Sequence, residues 1–369
     1  VAKVIVVGAG VAGLLAAHAL RNNGHAVTLF DKSYVPGGRL ASKTVNGATF
    51  DIGAQFFTAR SEVFRAHVDR WLAAGVARTW FHGNPDLTPA DRGTEPSAAH
   101  PHGPDGHPRY RGAPTMRRLA EHLADGLELH LGTIVGSIEP AAEGFVVRTK
   151  ARAPGSSARP VWRAAASSPD RRTPHRGTDL HPADAVLLAT PVPQATDILT
   201  TGGTPLSPAV QTRLASIGYT PTITVLAVPD AAPALPDRGA VRLPDGDIEW
   251  ITDNHATGAS SRPAVTIHTG ARFARAYADA DDAEVAHATI AAARDVLACE
   301  LTVVHVHRWR YATPTSCPDT TPLMDVVDGA PLAFAGDAFQ GGRVEGAARS
   351  GLASAAALHV ALPPVDRST

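Results

Sequence analysis

The sequence is poor in cysteine, methionine and aromatic residues. Two cysteines, Cys299 and Cys317, occur in 369 residues. They form no CxxC pair, which argues against a redox-active dithiol centre. Both read as plain reduced residues, with Cys299 on the buried face of a helix. Lysine stops at Lys150, and no later position carries one. The formal net charge is −1, so the charge balance calls for neither nucleic acid nor an acidic membrane surface as partner. No apolar run reaches membrane-spanning length. The run near the start is a short strand broken by glycines, without a signal-peptide cleavage pattern. The expectation is a soluble cytoplasmic protein. His100, His102 and His107 lie among Pro and Gly without regular spacing, so no metal site is expected.

What is present begins at Val4-Ile5-Val6-Val7-Gly8-Ala9-Gly10-Val11-Ala12-Gly13. An apolar strand feeds directly into GxGxxG, a helical pattern follows, and a second apolar run, Ala26–Phe30, ends in Asp31. This is the strand–turn–helix–strand unit that binds the ADP half of a dinucleotide. Gly8 permits the tight turn, Gly10 lets the backbone approach a pyrophosphate, and Gly13 lets the helix pack closely on the strand. The helix N-terminus offers free N–H groups and partial positive charge to the phosphates. Asp31 stands where a carboxylate can accept from ribose hydroxyls.

Further along, helices are expected at Ser61–Ala74, Thr115–Asp125 and Asp282–Ala298. Short strands are expected at Leu127–Leu131, Thr133–Val135 and Phe145–Arg148, with a buried strand from Asp184 leading to Thr190-Pro191. The stretches Gly83–His107 and Ala151–His181 read as loops, the second as an inserted, poorly ordered one rich in Arg and Pro. From Pro205 to Pro331 the candidate strands Thr222–Val228, Ile248–Thr252, Val265–Thr269 and Val303–Tyr311 alternate more strongly, as in an antiparallel sheet with its own helix. Leu332–Asp337 returns to a buried strand, and Gly341-Gly342-Arg343-Val344-Glu345-Gly346-Ala347 leads into a final helix.

Three motifs separate a flavin from a nicotinamide cofactor. Gly37-Gly38-Arg39 after the second strand resembles the GG motif of FAD proteins of the amine oxidase and glutathione reductase-like group. Thr190-Pro191 resembles that group's middle segment, and Gly336-Asp337 its C-terminal GD motif. Longer segments are similar to the bacterial renalase-like flavoproteins: Asp51–Arg60, Arg111–Met116, Ala189–Gln194, Trp250–Asn254, His307–Ala312 and Gly341–Ala347. The resemblance covers nearly the whole chain apart from the two loops.

That resemblance implies non-covalent FAD and an α/β fold: a Rossmann-type, glutathione reductase-like FAD-binding domain plus an α+β substrate domain with a mostly antiparallel sheet, of the p-hydroxybenzoate hydroxylase-like type. The FAD-binding domain is expected from residues 1–58, 112–194 and 331–362, the substrate domain from 59–111 and 195–330, and a flexible insert at 151–181. The implied reaction is hydride abstraction from a dihydropyridine ring to flavin N5, with molecular oxygen reoxidising the flavin. The implied cofactor contacts are Gly8, Gly10, Val11, Ala12, Gly13, Asp31, Lys32, Gly38, Arg39, Leu40, Gly53, Ala54, Gln55, Val135, Thr190, Gly336, Asp337, Arg343, Val344 and Ala347.

Aromatisation drives hydride loss from a dihydropyridine, so the protein must mainly hold the donor carbon about 3–3.5 Å from its acceptor. A flat pocket is expected, with Gln55, Phe56, Phe57, Trp250, Asn254 and Trp309 as positioning residues and no acid–base residue assigned. His307, Trp309 and Tyr311 should share the inward face of a strand, with Arg308 and Arg310 outward. Arg60, Arg272 and Arg343 are candidates for a substrate phosphate or carboxylate. Monoamine and polyamine oxidases place a lysine in the substrate-domain half, and its absence here argues against an ordinary amine oxidase. The chain departs from the renalase-like pattern at Arg272-Phe273-Ala274, His255–Gly258 and Ala348-Arg349, where substrate-side walls are expected. A tailoring flavoenzyme of secondary metabolism, acting on a nicotinamide-derived or other cyclic amine, therefore stays an alternative. A non-catalytic carrier on the same fold, like the GDP-dissociation inhibitors, and an NAD-dependent dehydrogenase without flavin are the rivals from other classes.

Overall fold

A computed structural model of the chain describes residues 1–83, 106–152, 178–244, 246–316 and 322–363. Most of the two expected loops, and Cys317, lie outside the described residues.

In chain order, β1 (Lys3–Val7), α1 (Val11–Asn22) and β2 (Ala26–Asp31) precede the hairpin β3 (Ser42–Val45) and β4 (Ala48–Asp51). Helix α2 (Glu62–Ala73), strands β5 (Ala77–His82) and β6 (Pro108–Gly112), and α3 (Arg117–Ala124) follow. Next come β7 (Glu128–Leu131), β8 (Thr133–Ala141), β9 (Gly144–Ala151), β10 (Thr178–Ala183) and β11 (Ala185–Leu188). Helices α4 (Val192–Thr201) and α5 (Pro208–Ala215) lead to β12 (Tyr219–Pro229), β13 (Ala240–Arg242), β14 (Ile248–Asp253) and β15 (Val265–Thr269). The chain continues through α6 (Ala271–Ala276), α7 (Asp282–Leu297), β16 (Leu301–Pro314), β17 (Leu323–Val327), β18 (Ala330–Phe334) and α8 (Arg343–Ala361).

Packing divides the chain into two units. The first comprises Val1–Gly38, Ala120–Gly218 and Pro314–Thr369; the second comprises Arg39–Leu119 and Tyr219–Thr313. The sequence-based division followed the cofactor motifs instead, and so differs at 39–58, 112–119, 195–218 and 314–330. Residues 39–58 join the second unit because β4 lays Ala48, Phe50 and Ile52 into one core with Leu226 of β12 and Ala264.

The first unit is built on a six-stranded sheet in the order β17-β18-β11-β1-β2-β7. Its strands are parallel except β17, which runs antiparallel to β18. Strands β1, β11 and β18 are almost wholly buried apolar residues, as a sheet covered on both faces requires. This is an α/β Rossmann-type fold. An antiparallel trio, β10-β9-β8, belongs to the same unit. Helix α8 packs on α1 so closely that a Cβ on Gly351 would sit 2.2 Å from the Ala12 carbonyl oxygen.

The second unit holds a five-stranded sheet in the order β13-β14-β15-β12-β16. Pairs β13–β14, β14–β15 and β12–β15 are antiparallel. Alternation gives the sheet two unlike faces. Ile223, Val225, Val241, Ile251, Val265 and Ile267 pack with Phe273 of α6 and Val285, Ala293 and Leu297 of α7. The opposite face carries Trp250, Thr252, Thr266, His268 and Thr224. The helix expected at Ser61 starts there, because the Ser61 hydroxyl accepts from Phe64 N–H as N-cap.

Three details depart from the sequence reading. Cys299 is not on a helix: α7 ends at Leu297, and Ala298 takes φ 50°, turning the chain away. Cys299 lies half-buried beyond that turn, its thiol pushed up by burial and by Asp230, Glu300 and Asp253. The hairpin β3–β4 turns at Asn46-Gly47 with φ 51° and 81°, and β17–β18 turns at Asp328-Gly329 with φ 48° and 88°. Both dipeptides are standard hairpin signals that the reading passed over. Arg272-Phe273-Ala274 sits on α6, with Phe273 and Ala274 in the helix-covered core and Arg272 paired to Asp247. Those positions therefore do not line the opposite face of the sheet. Among the described residues, no helix is long and apolar enough to cross a membrane.

Gly351→Ala is expected to cost about 1–3 kcal/mol by overpacking the contact of α8 with α1. Urea unfolding measures it; unchanged stability would show that the helices are free to separate.

Candidate functional site

The first unit gathers the nucleotide-type motifs at the C-terminal ends of β1, β2, β11 and β18. Gly8 takes φ 110° and donates its N–H to the Phe30 carbonyl at 2.8 Å. A Cβ on Gly13 would come within 2.0 Å of the Gly8 oxygen, so only glycine allows α1 to start where it does. Gly10 caps α1, and a Cβ there would meet no protein atom within 4 Å. The space in front of the helix N-terminus is open, as a phosphate requires. Gly37 N–H donates to the Ala9 carbonyl at 2.8 Å, and Gly38, at φ 52°, lies against Gly10.

Asp31 does more than the sequence reading assigned to it. Its Oδ2 accepts from Ala9 N–H at 2.7 Å and its Oδ1 from Ser33 N–H at 2.6 Å. The carboxylate therefore also holds the glycine turn in place. Val11 and Ala12 are buried in the first turn of α1, Val135 is buried on β8, and Lys32 is exposed. Thr190 follows β11 with Oγ1 buried and unpartnered. After β18, Gly336 takes φ 145° and Asp337 is buried. Gly341, Gly342 and Arg343 then take φ 86°, 74° and 57° in succession before α8. Val344 and Ala347 are buried in its first turns, and the Arg343 side chain is exposed. Open space at Gly10, the orphaned Thr190 hydroxyl and two helix N-termini suit a dinucleotide pyrophosphate and polyol chain.

The remaining expected cofactor contacts fall in the second unit and bind one another. The Arg39 carbonyl accepts from Ala54 N–H at 2.8 Å, and a Cβ on Gly53 would lie 2.1 Å from that carbonyl oxygen. Leu40 is buried, and Arg39 donates to the Ala312 carbonyl at 3.1 Å. Gln55 donates through Nε2 to the carbonyls of Asp51 and Gly53 at 2.7 and 2.9 Å, leaving Oε1 buried without a partner.

A buried ion pair fixes this region. Arg111 donates to Asp51 Oδ2 at 2.7 Å with both side chains fully buried. Asp51 Oδ1 accepts from the Ser42 hydroxyl at 2.5 Å and Met116 N–H at 3.0 Å. Burial pushes the Asp51 carboxyl up and the Arg111 guanidinium down, and each partner opposes the shift of the other. Asn254 belongs to the same scaffold: its Oδ1 accepts from Asp51 N–H at 3.0 Å and its Nδ2 donates to Thr266 at 2.8 Å.

The other face of the five-stranded sheet carries an aromatic row. Trp250 pairs across strands with His268, and His268 with Thr224. Trp309 of β16 donates through Nε1 to Thr224 Oγ1 at 3.0 Å and to the Ile52 carbonyl at 3.1 Å. Phe56 packs on Trp250 at 5.3 Å, and Trp80 and Phe81 join them. Arg111 lies over Trp80 at 4.9 Å and Arg109 over Phe56 at 5.7 Å. His307 meets Trp309 at 4.3 Å, and burial lowers its pKa to about 4. His307, Trp309 and Tyr311 are half-buried while Arg308 and Arg310 are exposed, as strand alternation predicts.

The sequence candidates thus divide. Phe56, Trp250 and Trp309 lie along the row. Phe57 turns away to pack with Phe64, Trp71 and Tyr110. Asn254 serves the backbone, Arg60 is exposed, and Arg272 is paired. Sequence reasoning did not single out His268 or Trp80. The alternation Val265-Thr266-Ile267-His268-Thr269 was the available signal for His268.

The chain belongs to the family described as flavin containing amine oxidoreductase, whose sequence pattern matches residues 92–359. Residues 6–71 match the NAD(P)-binding Rossmann-like domain. It is a flavin-dependent oxidoreductase with FAD as cofactor. Hydroxyneurosporene desaturase of Rubrivivax gelatinosus is 32% identical over 157 residues, which cover 37% of this chain and 30% of that protein. A 4,4'-diapophytoene desaturase of Staphylococcus aureus is 47% identical over 51 residues, or 14% of this chain and 10% of the relative. The matches thus span less than a third of these curated relatives. A putrescine oxidase variant superposes with a TM-score of 0.65 at 14% identity, covering 97% of this chain and 99% of the other. A putative protoporphyrinogen oxidase from Exiguobacterium gives 0.62 at 14% identity, covering 98% and 99%. At such identities the structural likeness speaks for the fold alone.

Two outcomes test the site. Asp31→Ala is expected to weaken FAD binding about 10- to 100-fold by releasing the glycine turn, read from the visible flavin band after dialysis. Asp51→Asn leaves the Arg111 charge buried and unpaired, for an expected loss of about 3–5 kcal/mol in chemical unfolding. A loss below 1 kcal/mol would mean that the pair is dispensable.

Proposed function

We propose that this protein oxidises a dihydropyridine or related cyclic amine, in the manner of the renalase-like flavoproteins. Its fold would then be of the p-hydroxybenzoate hydroxylase-like type. FAD, held by the glycine turn, Asp31 and the Gly336–Arg343 segment, would supply hydride acceptance and reoxidation by molecular oxygen. The protein's own task is to hold a flat ring and keep water from it. The observation that carries this reading is the row Trp250–His268–Thr224–Trp309, with Phe56 against Trp250.

That row is planar in chemistry and neutral in charge. The indole N–H groups are already engaged: Trp250 donates to Thr252, and Trp309 to Thr224 and Ile52. A ring lying on its indoles gains dispersion and excludes water. Asp51, the buried acid nearby in sequence and structure, is consumed by Arg111 and cannot serve as counter-ion for an ammonium. With arginines stacked on Trp80 and Phe56, the unit is a poor receptor for a polyamine such as putrescine. Gln55, Phe56, Trp250 and Trp309 are the positioning residues in this reading, and Phe57 and Asn254 support them from behind.

A tailoring enzyme acting on a nicotinamide-derived ring would use the same surface. The difference lies in the substituents that the ring carries.

Anaerobic stopped-flow mixing of the FAD holoenzyme with the 2-, 4- and 6-dihydro isomers of nicotinamide nucleotides tests the reading. At least one isomer should bleach the visible flavin band within seconds, and putrescine should not. A yellow protein that no dihydropyridine bleaches would defeat the proposal. A colourless protein that takes up no FAD would favour the carrier alternative.

A further inference from the structure

His25 and His359 meet at the N-terminal end of β2, the end away from the glycine turn. His25 follows Gly24, at φ 88°, in the short turn between α1 and β2, and its side chain is buried. His359 lies half-buried in the last turn of α8. His25 Nε2 and His359 Nδ1 are 3.0 Å apart, and the rings meet edge to face with centroids at 5.2 Å. A hydrogen bond between two ring nitrogens needs one donor and one acceptor. The pair can therefore hold one proton beyond two neutral rings and no more: a second sets N–H against N–H and brings two positive charges into contact. The other nitrogen of His25, Nδ1, is buried without a hydrogen-bond partner among the described residues, so a charged His25 has nothing there to donate to.

The surroundings add to that limit. Burial first, then His359 and the amino group of Val1, hold the His25 pKa below its ordinary 6.5. On α1, His18 donates to the Leu123 carbonyl at 2.7 Å and Arg21 to that of Gly126, so both are turned toward α3 and the turn after it. Lys3 of β1 is exposed, and β2 carries its charge at Asp31, at the far end of the strand. On α8, Arg343, Glu345 and Arg349 lie ten or more positions before His359. A released His25 binds a proton more readily than a bonded one. The contact is therefore at full strength above about pH 6.5 and is lost as the pH falls below that value.

The same helix steadies the cofactor cradle. Ser354 donates to the Phe334 carbonyl, at the end of β18, at 2.7 Å. Ser350 accepts from Gly336 N–H at 3.2 Å, one residue before Asp337, and Gly351 lies against Ala12 in the first turn of α1. A helix released at its C-terminal end pivots about its remaining contacts, and these are the next ones along it. We propose that the His25–His359 pair is an acid-sensitive latch holding the end of α8 on the α1–β2 turn, and that opening it loosens the Gly336–Asp337 turn and with it the hold on FAD. The latch concerns the cofactor alone and stands whether or not the substrate is a dihydropyridine.

FAD release from the holoenzyme, followed by flavin fluorescence after dilution, should be about tenfold faster at pH 5.5 than at pH 7.5, since one linked proton is worth up to about tenfold per pH unit. His359→Gln supplies an amide that accepts from a protonated His25 and donates to a neutral one, so its release rate should lose most of that pH dependence. His359→Leu removes the bond and should release FAD fast at both pH values. Hydrogen exchange of the holoenzyme, corrected for the intrinsic effect of pH, should rise at pH 5.5 across residues 352–361 in the wild type and stay level in His359→Gln. The same pH dependence of release in wild type and His359→Gln overturns the latch, as does slow release from His359→Leu at pH 7.5. Exchange that rises with acid while FAD release stays flat overturns the coupling to the cofactor.

Discussion

The second unit depends on one buried contact, the ion pair of Asp51 with Arg111. Two opposite charges out of water are stable only when their other hydrogen-bonding capacity is also met. Ser42 and Met116 N–H complete Asp51, and Arg111 also reaches the Thr257 carbonyl and the face of Trp80, with only its Nε left buried without a partner. Those partners come from β3, from the residue just before α3, from the turn after β14 and from β5. Asn254 then holds the Asp51 backbone from that same turn. The pair therefore joins segments far apart in sequence, and the position of the Ile52–Phe56 stretch follows from it.

The nucleotide cradle of the first unit rests on a different constraint, the close approach of backbones. Gly8, Gly13, Gly38 and Gly351 each sit where a side chain would strike protein atoms or require a strained φ. Asp31 links the two ends of the unit's opening motif by holding Ala9. Steric exclusion shapes this part, and charge compensation shapes the other.

Much of this was legible in the sequence, for identifiable reasons. The β1–α1–β2 unit announced itself because its signals are local: an apolar strand, glycines at fixed offsets and an acid at the end of β2. The helices at Glu62 and Asp282 were legible from period and caps, Ser61 and Asp281 both accepting as N-caps. The outward setting of Arg308 and Arg310 followed from strand parity. The ion pair was not legible, since its partners are 60 positions apart and neither has a distinctive neighbourhood. His268 was missed for a related reason. Its meaning comes from strand register with Trp250 and Thr224, and β12 meets β15 only after β13 and β14 have intervened in the chain. The hairpins at Asn46-Gly47 and Asp328-Gly329 were legible and were passed over, because the strands beside them are short.

The unlike faces of the five-stranded sheet carry a wider consequence. One parity of residues packs beneath α6 and α7, while the other carries the aromatic row together with Leu226, which joins the core of β4. A substitution at Trp250 or His268 changes that row and leaves the layer beneath α6 and α7 untouched. If the row meets the substrate as proposed, such a sheet can change its preferred molecule while keeping the layer that holds it together. Relatives sharing this architecture can accordingly diverge in chemistry faster than in shape.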